Sequence, residues 1–169
     1  FLLAAMTYVN TMQERGVFNA IRDWLIGRGF RPRALFWISG VLAFFLSAIL
    51  DNLTTALVMG AVVVAVGAGN PRFIAMGCVN IVVAANAGGA FSPFGDITTL
   101  MVWQQGVVTF QEFFVLFVPS LVNWLVPAVI MSFAIPGAEP ARLQLRAVVK
   151  PGGYVVVGLF ALTIAMTVS

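Results

Sequence analysis

The chain has 169 residues, of which 61% are hydrophobic and 9% charged, with a net charge of +3 and a mean hydropathy of +1.02. Soluble domains run at roughly 45–50% apolar and about 25% charged, so the composition excludes one and predicts an all-α integral membrane protein; no segment shows the roughly ten-residue alternation of a transmembrane β-strand. With no histidine and a single cysteine, Cys78, it also excludes an intrachain disulfide and the usual transition-metal sites, and its basic residues flank apolar segments rather than forming a nucleic-acid-binding stripe.

Residues 1–13, F-L-L-A-A-M-T-Y-V-N-T-M-Q, read as the end of a membrane span, with Glu14-Arg15 marking its exit into water. Over 16–28 the apolar Val17, Phe18, Ile21, Trp24 and Leu25 share one helical face while Asn19, Arg22 and Asp23 turn away, which predicts an interfacial helix lying on the membrane. After the loop G-R-G-F-R-P-R, with Pro32 as its breaker, residues 34–69 are apolar except for D-N-L-T-T at 51–55. Each flank holds about 17 residues, the lower limit for a span, so two short spans and one re-entrant hairpin that stops mid-membrane both fit. Behind G-A-G-N-P-R, residues 73–85 supply thirteen largely apolar positions before N-A-G-G-A-F-S-P-F-G-D at 86–96 interrupts them, and 97–103 supply seven more. Neither piece spans alone, so 73–105 is expected to cross once as a discontinuous helix broken over 86–96. Residues 110–135 form a long span whose Pro119 and Pro127 read as kinks. Residues 1–136 thus make one membrane unit, followed by a polar linker at 137–151 and the start of a further transmembrane helix at 152–169.

In this layout all nine Lys and Arg, at 15, 22, 28, 31, 33, 72, 142, 146 and 150, fall on one side. The positive-inside rule makes that side the cytoplasm, with loops 14–33, 70–72 and 137–151. The expected setting is the lipid bilayer of a bacterial inner membrane. Apolar runs at both ends suggest a piece of a longer protein.

Asp51 and Asp96 are the only acids with long apolar runs on both sides. Each costs about 2.5–3.5 kcal/mol at a membrane helix centre, which makes it a functional candidate. Both precede paired threonines and both can cap a helix, but Ser or Asn would cap without a charge. Helix breaks in membranes are tolerated where they line a cavity. The carbonyls near Ile49-Leu50 and Ala84-Ala85 join the side chains of Asp51, Asn52, Thr54, Thr55, Asn86, Ser92, Asp96, Thr98 and Thr99 in an oxygen-rich, charged pocket suited to a hard cation. Gly88, Gly89 and Gly95 are expected to permit positive φ and close backbone approach, with Pro93 shaping the break.

The blocks F-F-L-S-A-I-L-D-N-L-T-T-A-L-V-M at 44–59 and V-V-A-A-N-A-G-G-A-F-S-P-F-G-D-I-T-T-L-M-V-W at 82–103 resemble NhaD-type sodium/proton antiporters of the ion transporter superfamily. The resemblance runs from Phe1 to about Pro136. It implies a re-entrant hairpin entering from the cytoplasm, a broken helix beside it, a homodimer, and an inverted repeat of which this chain supplies about one half. It further implies that Asp51, Asn52, Asn86, Asp96, Thr98 and Thr99 form half of an ion site, where Asp51 and Asp96 alternately hold sodium and protons. Lithium is a candidate substitute, and no resident cofactor is expected. Members often carry an acid at the end of the first span, where this chain has Asn10.

Relatives in that superfamily import dicarboxylates, but an anion site would use neutral Ser, Asn and Thr with helix N-termini rather than two carboxylates. An intramembrane aspartyl protease would carry G-x-G-D, whereas Pro93-Phe94-Gly95-Asp96 lacks the first glycine and no tyrosine precedes Asp51. The expectation is therefore a secondary transporter and not an enzyme. Coupled proton movement is what would separate it from a passive channel.

Overall fold

Prolines, asparagine and aspartates punctuate an otherwise apolar chain, and helices start where they stand. A computed structural model describes residues 7–8, 11–12, 14–17, 20, 23, 30–67, 70–135 and 152–168, and every regular element among them is helical. Helix α1 (Pro32–Ser47) starts on a proline, whose missing N–H is one that a first turn leaves unbonded anyway. Helix α2 (Asn52–Val66) is capped by Asp51, which accepts from the Thr54 N–H at 2.8 Å. Helix α3 (Pro71–Ala90) has Asn70 as its cap, accepting from the Phe73 N–H at 3.0 Å. The short α4 (Ile97–Gln104) is capped by Asp96 and is followed by Gly106, whose φ of 69° ends the helix in a region glycine reaches without strain. A 3-10 turn (Glu112–Leu116) runs into α5 (Phe117–Phe133), and α6 (Gly153–Val168) closes the described chain.

Residues 29–142 form one compact unit, and 1–28 with 143–169 another. Within the first, α3 is central and packs against α1, α2 and α5. The core comprises Phe36 and Phe44 of α1, Met59, Val62 and Val63 of α2, Ile81, Ala84 and Ala85 of α3, and Trp124 and Ala128 of α5. Helices α2 and α3 approach closely through Gly77, where a Cβ would stand 2.5 Å from Val63 Cγ1.

The outward faces are apolar too. On α5 only Ser120, Trp124 and Ala128, one helical stripe, are buried, while Val118, Val122, Val126, Ile130 and Phe133 are exposed. Apart from the exposed Asn123, the outward face of α5 is apolar, which suits hydrocarbon as its solvent, and the protein is an all-α membrane protein. Helix α3, with 20 residues, and the 22 residues Glu112–Phe133 are long and apolar enough to cross a bilayer. Helices α1 and α2, with 16 and 15 residues, measure only about 24 and 22 Å, short of the roughly 30 Å hydrocarbon core.

Helix α3 departs from expectation. It runs unbroken through Asn86-Ala87-Gly88-Gly89 to Ala90, so the break is 91–96 rather than 86–96, and the piece ahead of it is long enough to cross alone. The cause is not local: the Phe44 carbonyl of α1 lies against Gly88, where any Cβ would collide with it. Glycine here permits a close helix crossing instead of breaking the helix. Pro127 sits inside α5, whereas Pro119 falls in its first turn, where no intrahelical N–H is required. Most of the expected span 1–13 and interfacial helix 16–28, and the whole linker 137–151, lie outside the described residues.

Candidate cation site

The turn between α1 and α2 meets the break between α3 and α4 at Asn52. Its N–H donates to the Gly95 carbonyl at 2.9 Å. Its side-chain amide donates to Asp96 Oδ2 at 2.6 Å and to Asn86 Oδ1 at 3.3 Å, so two oxygens from opposite sides of the break converge on one donor. Ser47, at the end of α1, donates its hydroxyl to the Ala85 carbonyl at 2.6 Å.

Glycine makes this approach possible. A Cβ on Gly95 would stand 2.6 Å from the Ser47 carbonyl oxygen and run into the Gly89 Cα, and one on Gly89 would stand 2.8 Å from the Gly95 oxygen. None of Gly88, Gly89 and Gly95 has positive φ. The expected backbone freedom is therefore unused at all three, and what they supply is space.

Asp96 Oδ1 accepts from the Thr98 N–H at 2.8 Å and the Thr98 hydroxyl at 2.6 Å. With Asn52 that makes three donors on a carboxylate offering roughly four lone-pair sites. The Thr99 hydroxyl donates to the Asp96 carbonyl at 2.8 Å. The Asp51 carboxylate accepts from the Thr54 N–H and, among the described residues, from nothing else. Asp51, Asn52 and Asp96 are half-buried, and Asn86 is exposed, its Nδ2 donating to the Val82 carbonyl at 2.8 Å.

Ser92 serves the loop itself: its hydroxyl accepts from the Phe94 N–H at 3.2 Å and shapes the turn that holds the fully buried Pro93. Thr54 enters through its backbone amide. Thr55 is 1% exposed, and its hydroxyl is the only buried side-chain polar atom among the described residues with no hydrogen-bond partner. The carbonyls of Ala84 and Ala85, expected at a helix end, lie inside α3, and that of Ala85 takes the Ser47 hydroxyl. The carbonyls at 87–90 are instead the ones a helix end leaves without an intrahelical donor.

Among the described residues no three His, Cys, Asp or Glu side chains gather. A cation held here would meet the Asp96 carboxylate with amide, hydroxyl and main-chain oxygens, a hard-oxygen set, while no hydrogen bond among the described residues joins the Asp51 carboxylate to Asn52, Asn86 or Asp96. Sequence reasoning does not single out Ser47 or the fully buried Asn80. Each is a lone polar residue in an apolar run, F-F-L-S-A-I-L and C-V-N-I-V-V, and in a membrane helix such a residue needs a partner across the helix interface. A search for charge alone passes over both.

The whole chain, residues 1–169, matches the family described as citrate transporter (CitMHS). It is 57% identical over 169 residues to the Na(+)/H(+) antiporter NhaD of Vibrio parahaemolyticus, an alignment covering 100% of this chain and 41% of that protein. It is 57% identical over 168 residues to the Na(+)/H(+) antiporter NhaD of Halomonas elongata, covering 99% and 34%. It is 37% identical over 164 residues to sodium/proton antiporter 1 of Arabidopsis thaliana, covering 94% and 28%. The chain thus spans between about a third and two-fifths of the length of the two bacterial relatives. No solved structure matches it.

Proposed function

The chain belongs to the citrate transporter (CitMHS) family, and from that premise we propose that the whole protein is a secondary transporter exchanging sodium, with lithium as a candidate substitute, for protons. The observation that carries this reading is the convergence of Asn86 Oδ1 and Asp96 Oδ2 on the single amide of Asn52, across a helix break. Two oxygens turned toward one donor can be taken over by a cation once that amide rotates away. The relatives named Na(+)/H(+) antiporter support a cation as cargo.

The family description favours citrate, an anion, and the helix starts allow a test of that alternative. Helices α2 and α4 both begin at the site, and free N-terminal amides attract anions. Here the amides of Thr54 and Thr98 are already taken by Asp51 and Asp96, so an anion would meet two carboxylates first. The same bonds argue against a protease, whose paired aspartates share a proton, because these carboxylates bond Thr54, Thr98 and Asn52 rather than each other.

A protonated carboxyl withdraws an oxygen from sodium, and bound sodium excludes the proton. Asp96, with Asp51 as its partner, holds one or the other, and alternating access carries each to the opposite side. The arms α1 and α2 are too short to cross, which supports a re-entrant hairpin whose tip lies mid-membrane at the break. The half-buried face of Asp51, Asn52 and Asp96 is where a second inverted-repeat half closes the site. On this reading the full-length protein is a homodimer in a bacterial inner membrane, with loops 14–33, 70–72 and 137–151 cytoplasmic, and works without a resident cofactor.

In everted vesicles carrying the full-length protein, Asp96→Asn should abolish sodium-dependent proton release with the fold retained, and Asp51→Asn should do the same. Near-normal exchange in both variants contradicts the proposal. Saturable, sodium-driven accumulation of isotopic succinate by the unsubstituted protein would replace it with the anion alternative.

A further inference from the structure

Asn80 stands at the middle of α3 with no exposed surface. Its Nδ2 donates to the Phe36 carbonyl of α1 at 2.9 Å, and its Oδ1 accepts from Trp124 Nε1 of α5 at 2.9 Å. One amide joins three helices at membrane depth. Gly40 makes the room, because a Cβ there would stand 2.6 Å from Asn80 Nδ2 and 3.0 Å from Trp124 Cζ2.

The junction is connected to the break. Trp124 stacks on Phe44 with ring centroids 5.4 Å apart, and Phe44 stacks on Phe91, the first residue of the break, at 5.3 Å. Asn86 lies six residues beyond Asn80 on the same helix, about 9 Å along the axis. At the level of the site, the Ser47 hydroxyl ties α1 to α3 a second time. Helix α2 is held differently: among the described residues its one side-chain hydrogen bond to α3 is that of Asn52 to Asn86, and elsewhere the two helices meet through apolar contacts such as Val63 on Gly77.

Apolar contacts between helices in lipid tolerate small slides and rotations, whereas an amide with two directional bonds does not, since either displacement leaves a polar group without a partner in hydrocarbon. We propose that Asn80 and Trp124 are positioning residues for the cation site: they lock α1, α3 and α5 into one block whose register presents Asn86 and the 91–96 break to Asn52, a role that rests on the cation-exchange reading. Neither residue touches the cargo.

The test uses the full-length protein. Trp124→Phe keeps an aromatic ring beside Phe44 but removes the Nε1 donor together with part of the buried ring system. Asn80→Leu removes both bonds, and the double variant Asn80→Leu/Trp124→Phe leaves neither side chain seeking the other, which guards against simple misfolding. Per folded protein, each variant should raise the sodium concentration for half-maximal exchange about three- to tenfold, with a smaller loss of maximal rate. The double variant should match Asn80→Leu, because both substitutions act on one link. A merely structural role would lower the yield of folded protein and leave half-saturation unchanged. Spin labels at the exposed Phe45, Val82 and Val126 of α1, α3 and α5, in a cysteine-free background that includes Cys78→Ala, read the block directly: narrow distance distributions in the parent should broaden or shift in the variants. Unchanged half-saturation in a transporting protein, or unchanged distances in any case, overturns the proposal. A parent protein without sodium-dependent exchange would sink the transport reading, and the distances would still decide whether the lock exists.

Discussion

Asp96 and Asp51 each cap a helix ahead of two threonines, yet they are not equivalent: among the described residues Asp96 has three donors on its carboxylate and Asp51 has one. The Thr98 hydroxyl fixes Asp96 Oδ1 and thereby aims Oδ2 at Asn52. Thr98→Ala should therefore raise the sodium concentration for half-maximal exchange roughly fivefold, the equivalent of about 1 kcal/mol for one hydrogen bond; an unchanged sodium titration would show that the hydroxyl only decorates the cap. Thr55 allows a sharper separation of function from stability. A buried hydroxyl with no protein partner costs stability, so the near-isosteric Thr55→Val should leave the melting temperature of the full-length protein unchanged or raise it. If that hydroxyl is satisfied by sodium, the same variant loses sodium affinity. Loss of both stability and affinity would mean that Thr55 has a structural partner, and retention of both would remove it from the site.

The starts of helices are legible in this sequence because each is a local motif: Asp51 before Thr54, Asn70-Pro71, and Asp96 before Thr98. The end of α3 is not. By intrinsic propensity N-A-G-G reads as a break, since each glycine costs about 1 kcal/mol relative to alanine in a helix, but Phe44 of α1 and Gly95 of the loop demand small residues there. The demand from Phe44 on Gly88 comes from 44 positions away, as does the bond from Asn80 to Phe36, and no local pattern encodes either. Gly88→Ala should accordingly force α1 and α3 apart and destabilise the protein by about 1–3 kcal/mol, read as a lower melting temperature, whereas Gly60→Ala on α2, with nothing within 4 Å of the added Cβ, should be neutral or slightly stabilising. The hairpin is tested at the same scale. Leu53 and Ile97, exposed residues in the first turns of α2 and α4, should react as cysteines with small thiol reagents and resist large impermeant ones added from outside. Free labelling of Leu53→Cys by the large reagent would show two full spans and detach the 51–55 turn from mid-membrane.

For the whole molecule, the chain supplies one turn and one break, and the face carrying Asp51, Asn52 and Asp96 is only half-buried. Sites built between inverted repeats need both halves, and this chain spans between about a third and two-fifths of its bacterial relatives. Residues 1–169 alone in proteoliposomes should therefore show no sodium-dependent proton movement, and full exchange by them would contradict the shared site. On the cation-exchange reading, sodium and protons compete for the oxygens around Asp96. That competition is tested most directly by measuring sodium binding to the purified full-length protein over a series of pH values. If one proton is displaced per sodium bound, the apparent dissociation constant should fall by about tenfold for each unit that the pH rises, and Asp96→Asn should lose that dependence; a constant independent of pH in the unsubstituted protein would exclude competition at Asp96.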